Sequence, residues 1–367
     1  VESGSWKKQL RSGISNAGEL CTAFPQLAPK RAMIEEVTAT YPVFINSYIA
    51  GMLKGPSDPL WRQFIPDNAE IDDTGGMVDP LAEDSTSPVP NITHRYPNRV
   101  LFLVSNRCAV HCRFCTRKRK IGRSFEVTAA TITQGIDYIS RSPQVRDVLL
   151  SGGDPLLLPT DQIADILGRL SEIRHVDIIR IGTRVPGVLP DRITAGLARM
   201  LASFKPLYIN THFNHPVEIT PQSRRACALL ADVGIPLGCQ TVLLKGVNDS
   251  ADIMCRLMEG LLSMRVRPYY LHHMDYTRGT AHFRTSLSAG LDIIRELRCH
   301  ASGMSVPHYV IDLPGGGGKV PLTPDYIHAV DGNALLLKNF QGKLFRYDIE
   351  AQDAETFSAP LAHTPVI

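Results

Sequence analysis

"RVLFLVSNRCAVHCRFCTRK" (residues 99–118) joins a β-branched, apolar run to three cysteines, Cys108, Cys112 and Cys115, spaced C-x3-C-x2-C. The first seven residues have the length and composition of a buried strand, so the cysteines fall in the loop that leaves its end. Five more runs share that character: "DVLLSG" (147–152), "VDIIRIG" (176–182), "PLYINTH" (206–212), "PLGCQTVLL" (236–244) and "RPYYLHH" (267–273). Amphipathic stretches follow them near 128–141, 160–171, 191–203, 220–233, 250–263 and 285–299. Thr128, Asp161, Asp191, Thr220 (before Pro221) and Ser250 stand where N-caps belong. Six βα units in a row predict a parallel sheet with helices outside it. Polar residues follow nearly every strand end, which favours a curved sheet with a mouth of βα loops over an open doubly wound one.

The expected fold is α/β: a partial (βα)6 TIM-like barrel over residues 96–319. Residues 1–95 read as a mostly helical N-terminal region ending in the Asp/Pro/Ser-rich linker "DPLAEDSTSPVPN" (79–91). Residues 320–367 form a C-terminal extension, in which "NALLLKNFQGKLFRYDIE" (333–350) reads as a β-hairpin around Gln341–Gly342.

Composition sets bounds. A chain of 367 residues with 44% hydrophobic and 20% charged residues is ordinary for a soluble globular protein. No apolar run approaches the roughly 18 residues of a membrane span, and "VESGSWKKQL" has no apolar signal core, so a cytoplasmic location is expected. A net charge of +3 and a pI near 8.4 do not advertise a nucleic-acid surface. The basic run "RKRKIGR" (117–123), beside the cysteines, is read as holding anionic groups of a cofactor. The scattered Cys21, Cys227, Cys239, Cys255 and Cys299 are read as small buried hydrophobes, not a disulfide framework.

Three clustered thiolates need a different account. A structural zinc site asks for a fourth ligand, and the next cysteine is Cys227. A [4Fe-4S] cluster held by three thiolates keeps one iron open to a further ligand; zinc is the alternative on spacing alone. A second constellation is "IDLPGGGGKVP" (311–321), where four glycines precede Lys319. Such a loop suits a Schiff-base lysine for pyridoxal phosphate (PLP), whereas a Walker A reading fails because Val320 follows the lysine. A mobile surface loop is the plain alternative.

The cysteine spacing, with Phe114 before the third cysteine, resembles the radical S-adenosylmethionine (SAM) signature. The resemblance implies that SAM chelates the open iron. In "LLSGGDPLL" (149–157), Ser151, Gly152, Gly153 and Asp154 then match the element that receives the methionyl amine. Taken with "PGGGGK", the chain resembles the lysine 2,3-aminomutase family, whose members also carry PLP. The likeness runs through "SPVPNITHRYPNRVLFLV" (87–104), "VRDVLLSGGDPLLL" (145–158), "NTHFNHPVEIT" (210–220), "VLLKGVND" (242–249), "AHFRT" (281–285) and "VPHYVIDLPGGGGK" (306–319), covering nearly everything from about residue 57.

The resemblance assigns roles as expectations. Lys319 bonds PLP; Arg95 and Arg99 hold its phosphate, with Tyr96 nearby; His212 and Gln240 meet SAM. Arg117 pairs with the substrate α-carboxylate, and Asp275 and Asp312 take a distal ammonium. The glutamate aminomutases lack that acidic pair, so lysine fits best, with arginine or ornithine as alternatives. The implied reaction is a radical 1,2-amino shift from L-lysine to β-lysine. The implied partners are a small amino acid, an external flavodoxin- or ferredoxin-type electron donor and further copies of the chain in a homo-oligomer, with no nucleic acid and no membrane. Ser250 stands where relatives place a zinc cysteine and no cysteine follows Cys299, so structural zinc is not expected. A branch acting on a lysine destined for a translation factor tends to lack the full "PGGGGK" and "HFRT" strings. The stretch "LHHMDYTRG" (271–279) departs from the family at the substrate end. A non-enzymatic iron–sulfur or RNA-binding protein is the contrasting class, and it predicts no PLP on Lys319.

Overall fold

The computed structural model describes residues 4–122, 127–204, 206–350, 352, 353 and 357, and all six expected strands lie within them. They are β2 (Arg99–Ser105), β3 (Asp147–Gly152), β4 (Ile178–Gly182), β5 (Leu207–Thr211), β6 (Leu237–Val242) and β7 (Val266–His272), parallel and neighbouring in chain order. Three further strands complete this sheet. β1 (Ile92–Tyr96) pairs antiparallel with β2, β8 (His308–Leu313) pairs parallel with β7, and β9 (Gly318–Pro321) returns antiparallel to β8. The barrel is therefore partial, as expected, with β1 and β9 as its edges, but it holds a seventh parallel strand beyond the expected six. "HYVIDL" earns that place by burying Tyr309, Val310 and Asp312. β1 also crosses residue 95, so the helical region and the barrel share a strand.

Helices cover the outside of the sheet with apolar stripes: Ile163, Ile166, Leu167 and Leu170 of Thr160–Ser171, for example, are all buried. Thr128, Thr220 and Ser250 cap their helices by accepting from the backbone N–H three residues on. Asp161 and Asp191 do not cap. Pro159 precedes the helix containing Asp161, and Thr194 caps Ala195–Ala202, while the Asp191 carboxylate accepts from Ser5 Oγ (2.8 Å) and Gln9 Nε2 (3.1 Å). It ties the first helix, Ser5–Arg11, to the barrel.

The N-terminal helices share one apolar core with the barrel, in which Ile45, Ile49 and Phe64 are fully buried. The same region grips the cysteine loop. His111 N–H donates to Phe44 O (2.8 Å), and the buried Asn46 amide donates to Ala109 O and Val188 O (both 2.9 Å). Behind the loop lies a buried ionic triad. Glu70 accepts from Arg113 (Nη2, 2.6 Å) and Lys118 (Nζ, 2.8 Å); burial opposes its ionisation, and the two cations outweigh that and hold its carboxyl below the usual range.

At the C-terminal end the expected hairpin, β11 (Ala334–Lys338) and β12 (Leu344–Asp348), turns with Gly342 at φ 75° and gains a third strand, β10 (Ile327–Val330). The expected extension includes residues 351, 354–356 and 358–367, which lie outside the described ones. All eight cysteines are free; Cys227 and Cys239 are buried, whereas Cys21, Cys255 and Cys299 are half-buried. Among the described residues no helix is long and apolar enough to cross a membrane.

Candidate active site

A cavity of about 590 Å³ lies inside the barrel, lined by residues at the C-terminal ends of the parallel strands and by Arg99 and Asp147 at the starts of β2 and β3. Every residue expected at the site lines it: Cys108, Cys112, Phe114, Cys115 and Arg117 after β2; Ser151, Gly152, Gly153 and Asp154 at β3; His212 after β5; Gln240 on β6; Asp275 after β7; Asp312 on β8; Lys319 on β9; and Arg95, Tyr96 and Arg99 on β1 and β2. Parallel strands all end on one side, so chemistry carried by loops far apart in sequence meets there.

The three thiols sit in a crowded setting, with the Arg184 guanidinium donating to Cys112 and the Arg117 charge acting on Cys108 and Cys115. Burial pushes Cys115 up to about 11, with Cys112 adding to it, and burial raises Cys108 well above the ordinary range, with Cys115 next. Among the described residues no three His, Cys, Asp or Glu side chains surround a point that would hold a single ion. A four-iron cube is bound one iron per thiolate, so three thiols spread over one loop fit it better than they fit one zinc.

The glycine pair has a concrete steric reason. Gly153 N–H donates to Ser105 O (2.5 Å) and Asp154 N–H to Arg107 O (2.7 Å), pressing the end of β3 against the start of the cysteine loop. Gly152 has φ 128°, and a Cβ on Gly153 would stand 2.2 Å from Arg107 O. Gly153→Ala is therefore expected to cost about 3 kcal/mol or more and to lower iron incorporation, measured by thermal unfolding and iron content after anaerobic reconstitution.

Asp154, expected to receive an ammonium, is already engaged. Its oxygens accept from Thr183 Oγ1 (2.7 and 2.9 Å), Arg184 N–H (2.8 Å) and Leu156 N–H (3.0 Å), and burial pushes it up to about 6. Its first task in the structure is to fix the β4 loop. Arg184 on that loop carries no local sequence signal, yet its buried guanidinium donates to Cys112 Sγ (2.7 Å), Gln63 Oε1 (2.6 Å) and Glu218 Oε2 (3.1 Å). It also lies over the Phe114 ring, 5.2 Å from the centroid. His212 bonds Asn214 Oδ1 (2.9 Å), and burial, then the Arg184 charge, lowers it well below the usual imidazole range.

At the other end of the cavity Lys319 Nζ contacts Asp312, which also pairs with Arg95 Nη2 (3.2 Å). Tyr96 Oη accepts the backbone N–H of Lys319 (2.8 Å), and Arg99 stacks on the Tyr96 ring (3.7 Å). Arg95 Nε and Nη1 are buried without a hydrogen-bond acceptor among the described residues, an orphaned pair that fits an anionic phosphate. Burial, followed by Asp312, pushes Asp275 up to about 7, against the pull of Lys319, Arg95 and Arg117.

The basic run proves to be paired. Arg117 meets Glu83 (2.6 Å), Lys118 meets Glu70, Arg119 meets Asp79 (2.9 Å) and Asp84 (2.7 Å), and Lys120 meets Asp84 (3.0 Å); Arg123 lies outside the described residues. Apart from Glu70, these acids come from the segment read as a linker, so the run's charge is neutralised within the chain instead of being offered as a cofactor-binding patch. Among the described residues of this run, Arg117 is the charged one that lines the cavity, with Ile121 beside it.

The comparisons with known proteins follow the same lines. The Radical SAM superfamily model matches residues 102–257, the cysteine loop and the strands after it, which makes this a radical SAM enzyme. The lysine-2,3-aminomutase model matches residues 294–361. The chain is 44% identical to L-lysine 2,3-aminomutase of Clostridium subterminale over 98% of its own length and 85% of that protein's. It is 46% identical to the enzyme of that name from Acetoanaerobium sticklandii (94% and 84%), and 40% identical to glutamate 2,3-aminomutase of Clostridioides difficile (94% and 83%). The chain belongs to the lysine 2,3-aminomutase family. Its cofactors are those of the family: SAM, a [4Fe-4S] cluster and PLP.

Proposed function

We propose that this enzyme moves the α-amino group of L-lysine to C3, giving β-lysine. The observation that carries the reading is the acid pocket of Asp275 and Asp312, which already hosts the ammonium of the protein's own Lys319 against Asp312. A lysine substrate brings the same terminal group, and two carboxylates, one buried and one half-buried, favour a cation there. Arg117, at the cysteine end, binds the α-carboxylate through its guanidinium fork. Lys319 anchors PLP by its amine, Arg95 and Arg99 hold the phosphate, and Tyr96 fixes the backbone of Lys319. Cys108, Cys112 and Cys115 hold the cluster; Phe114, Ser151, Gly152, Gly153, His212 and Gln240 form the SAM face, with Asp154 behind it. When bound, cluster and SAM supply removal and return of a substrate hydrogen atom, and PLP supplies the π-bond that lets nitrogen pass between adjacent carbons. The protein supplies placement and exclusion of water.

The same reading takes an external flavodoxin- or ferredoxin-type reductant, a homo-oligomeric assembly and a cytoplasmic location. The test is an anaerobic assay of reconstituted enzyme with SAM, PLP, dithionite and equimolar lysine, arginine, ornithine and glutamate, resolving α- from β-amino acids by mass spectrometry. β-Lysine is expected to dominate. Dominance of another β-amino acid removes the substrate assignment, and SAM cleavage with no β-product removes the mechanism for all four.

A further inference from the structure

We propose that Glu83 is a positioning residue for recognition of the substrate carboxylate, acting through Arg117; this rests on the reading of Arg117 as the carboxylate site. By composition Glu83 belongs to a solvated linker. In the structure it is 3% exposed, and a carboxylate buried that far needs a cation.

Its Oε1 accepts from Arg117 Nε at 2.6 Å, and Lys120 Nζ stands 3.6 Å from Oε2. Arg117 Nη1 reaches only to Ser151 Oγ, at 3.4 Å, and among the described residues no protein acceptor takes Nη2 in a hydrogen bond. The inner edge of the guanidinium is thus held, and the terminal fork is left as the edge for a carboxylate in the cavity. Arginine has many rotamers, and holding it by Nε removes most of that freedom before substrate arrives.

The segment bearing Glu83 is itself fastened to the rest of the substrate site. Met77 N–H donates to Tyr276 O (2.7 Å) and Arg278 N–H to Met77 O (2.9 Å), beside Asp275. Gly315 N–H donates to Pro80 O (3.0 Å), in the turn before Lys319. One strap therefore joins the carboxylate end, the ammonium end and the PLP lysine, with Glu83 as its contact to the first.

The test compares Glu83→Gln and Glu83→Asp with wild type in PLP-loaded enzyme, using L-lysine and 1,5-diaminopentane, which keeps the terminal ammonium and lacks the carboxylate. Binding is read by equilibrium dialysis and by the absorbance of the cofactor, turnover by KM and kcat. For Glu83→Gln, lysine Kd and KM are expected to rise about tenfold with kcat changed less than about threefold and diaminopentane binding unchanged; Glu83→Asp is expected to recover part of the loss. Equal weakening of both ligands assigns Glu83 a purely structural role and overturns the proposal, as does no weakening of either. If Glu83→Gln melts early, Glu83→Asp carries the same comparison. If wild type binds a different α-amino acid in place of lysine, the substrate assignment fails on its own, and the pair of that amino acid and its decarboxylated amine tests Glu83.

Discussion

Replacing Lys319 with alanine is expected to abolish amino migration, by about 10⁴-fold or more, while iron content and SAM binding stay at wild-type levels. Lys319 sits on edge strand β9 with its side chain 27% exposed, and its backbone N–H keeps the Tyr96 bond whatever side chain it carries. Asp312 retains Arg95, so removing the ammonium leaves no unpaired buried charge. The cysteine loop lies at the far end of the cavity, after β2, and is braced by Glu70, Arg113 and Asn46, none of which touches Lys319. Borohydride reduction of the PLP-loaded protein followed by peptide mapping checks the assignment directly. Label on residue 319 in wild type, and on no residue of the Lys319→Ala variant, is the expected pattern. Label on another lysine, with turnover retained in the variant, removes Lys319 from the role.

The reason so much of the site could be read from sequence is that a parallel barrel converts order along the chain into position around a mouth. Once "RVLFLVS" and its five successors are strands, the residues that follow them are neighbours, and the cysteine, Ser-Gly-Gly-Asp, His212 and Asp275 segments converge. Local stretches of that kind carry their own pattern. What stayed hidden depends on contacts between distant segments. Arg184 reaches Cys112, 72 residues away, from a loop whose sequence shows no charge pattern. Glu83 reaches Arg117 across 34 positions from a stretch whose Asp, Pro and Ser content reads as solvated. The three acids Asp79, Glu83 and Asp84, facing three cations at 117, 119 and 120, were the only signal available, and charge balance between two segments does not say that they touch. β8 escaped for a different reason: six residues ending in a glycine-rich turn have the length of a strand but also of a loop, and pairing with β7 decides the matter.

The second large effect is expected at Asp275, where both its sign and its pH dependence follow from burial. Substituting Asp275→Asn keeps the shape and removes the charge, so lysine KM is expected to rise about 30- to 100-fold, with little change for an amino acid lacking a distal ammonium. Burial, then Asp312, pushes wild-type Asp275 up to about 7 against the opposing charges of Lys319, Arg95 and Arg117. Under the proposed reading, protonation below that pH removes the charge that would meet the substrate ammonium. Wild-type KM is therefore expected to climb about tenfold for each pH unit below 7 and to flatten above about 8, and the variant is expected to lose that slope. Stability moves the opposite way. The folded chain keeps this proton between about pH 4 and 7, where an unfolded aspartate has released it, so wild-type stability falls as pH rises through that window. The variant escapes the fall and is expected to gain about 1–3 kcal/mol over wild type between pH 5 and pH 8, read by denaturant unfolding at both pH values. A KM slope retained in the Asp275→Asn variant would assign the titration to another group, and a wild type that gains stability across the window relative to the variant would mean that Asp275 is held ionised by its cations. The catalytic and the stability measurements thus test one cause, a carboxylate kept short of charge until a substrate ammonium arrives.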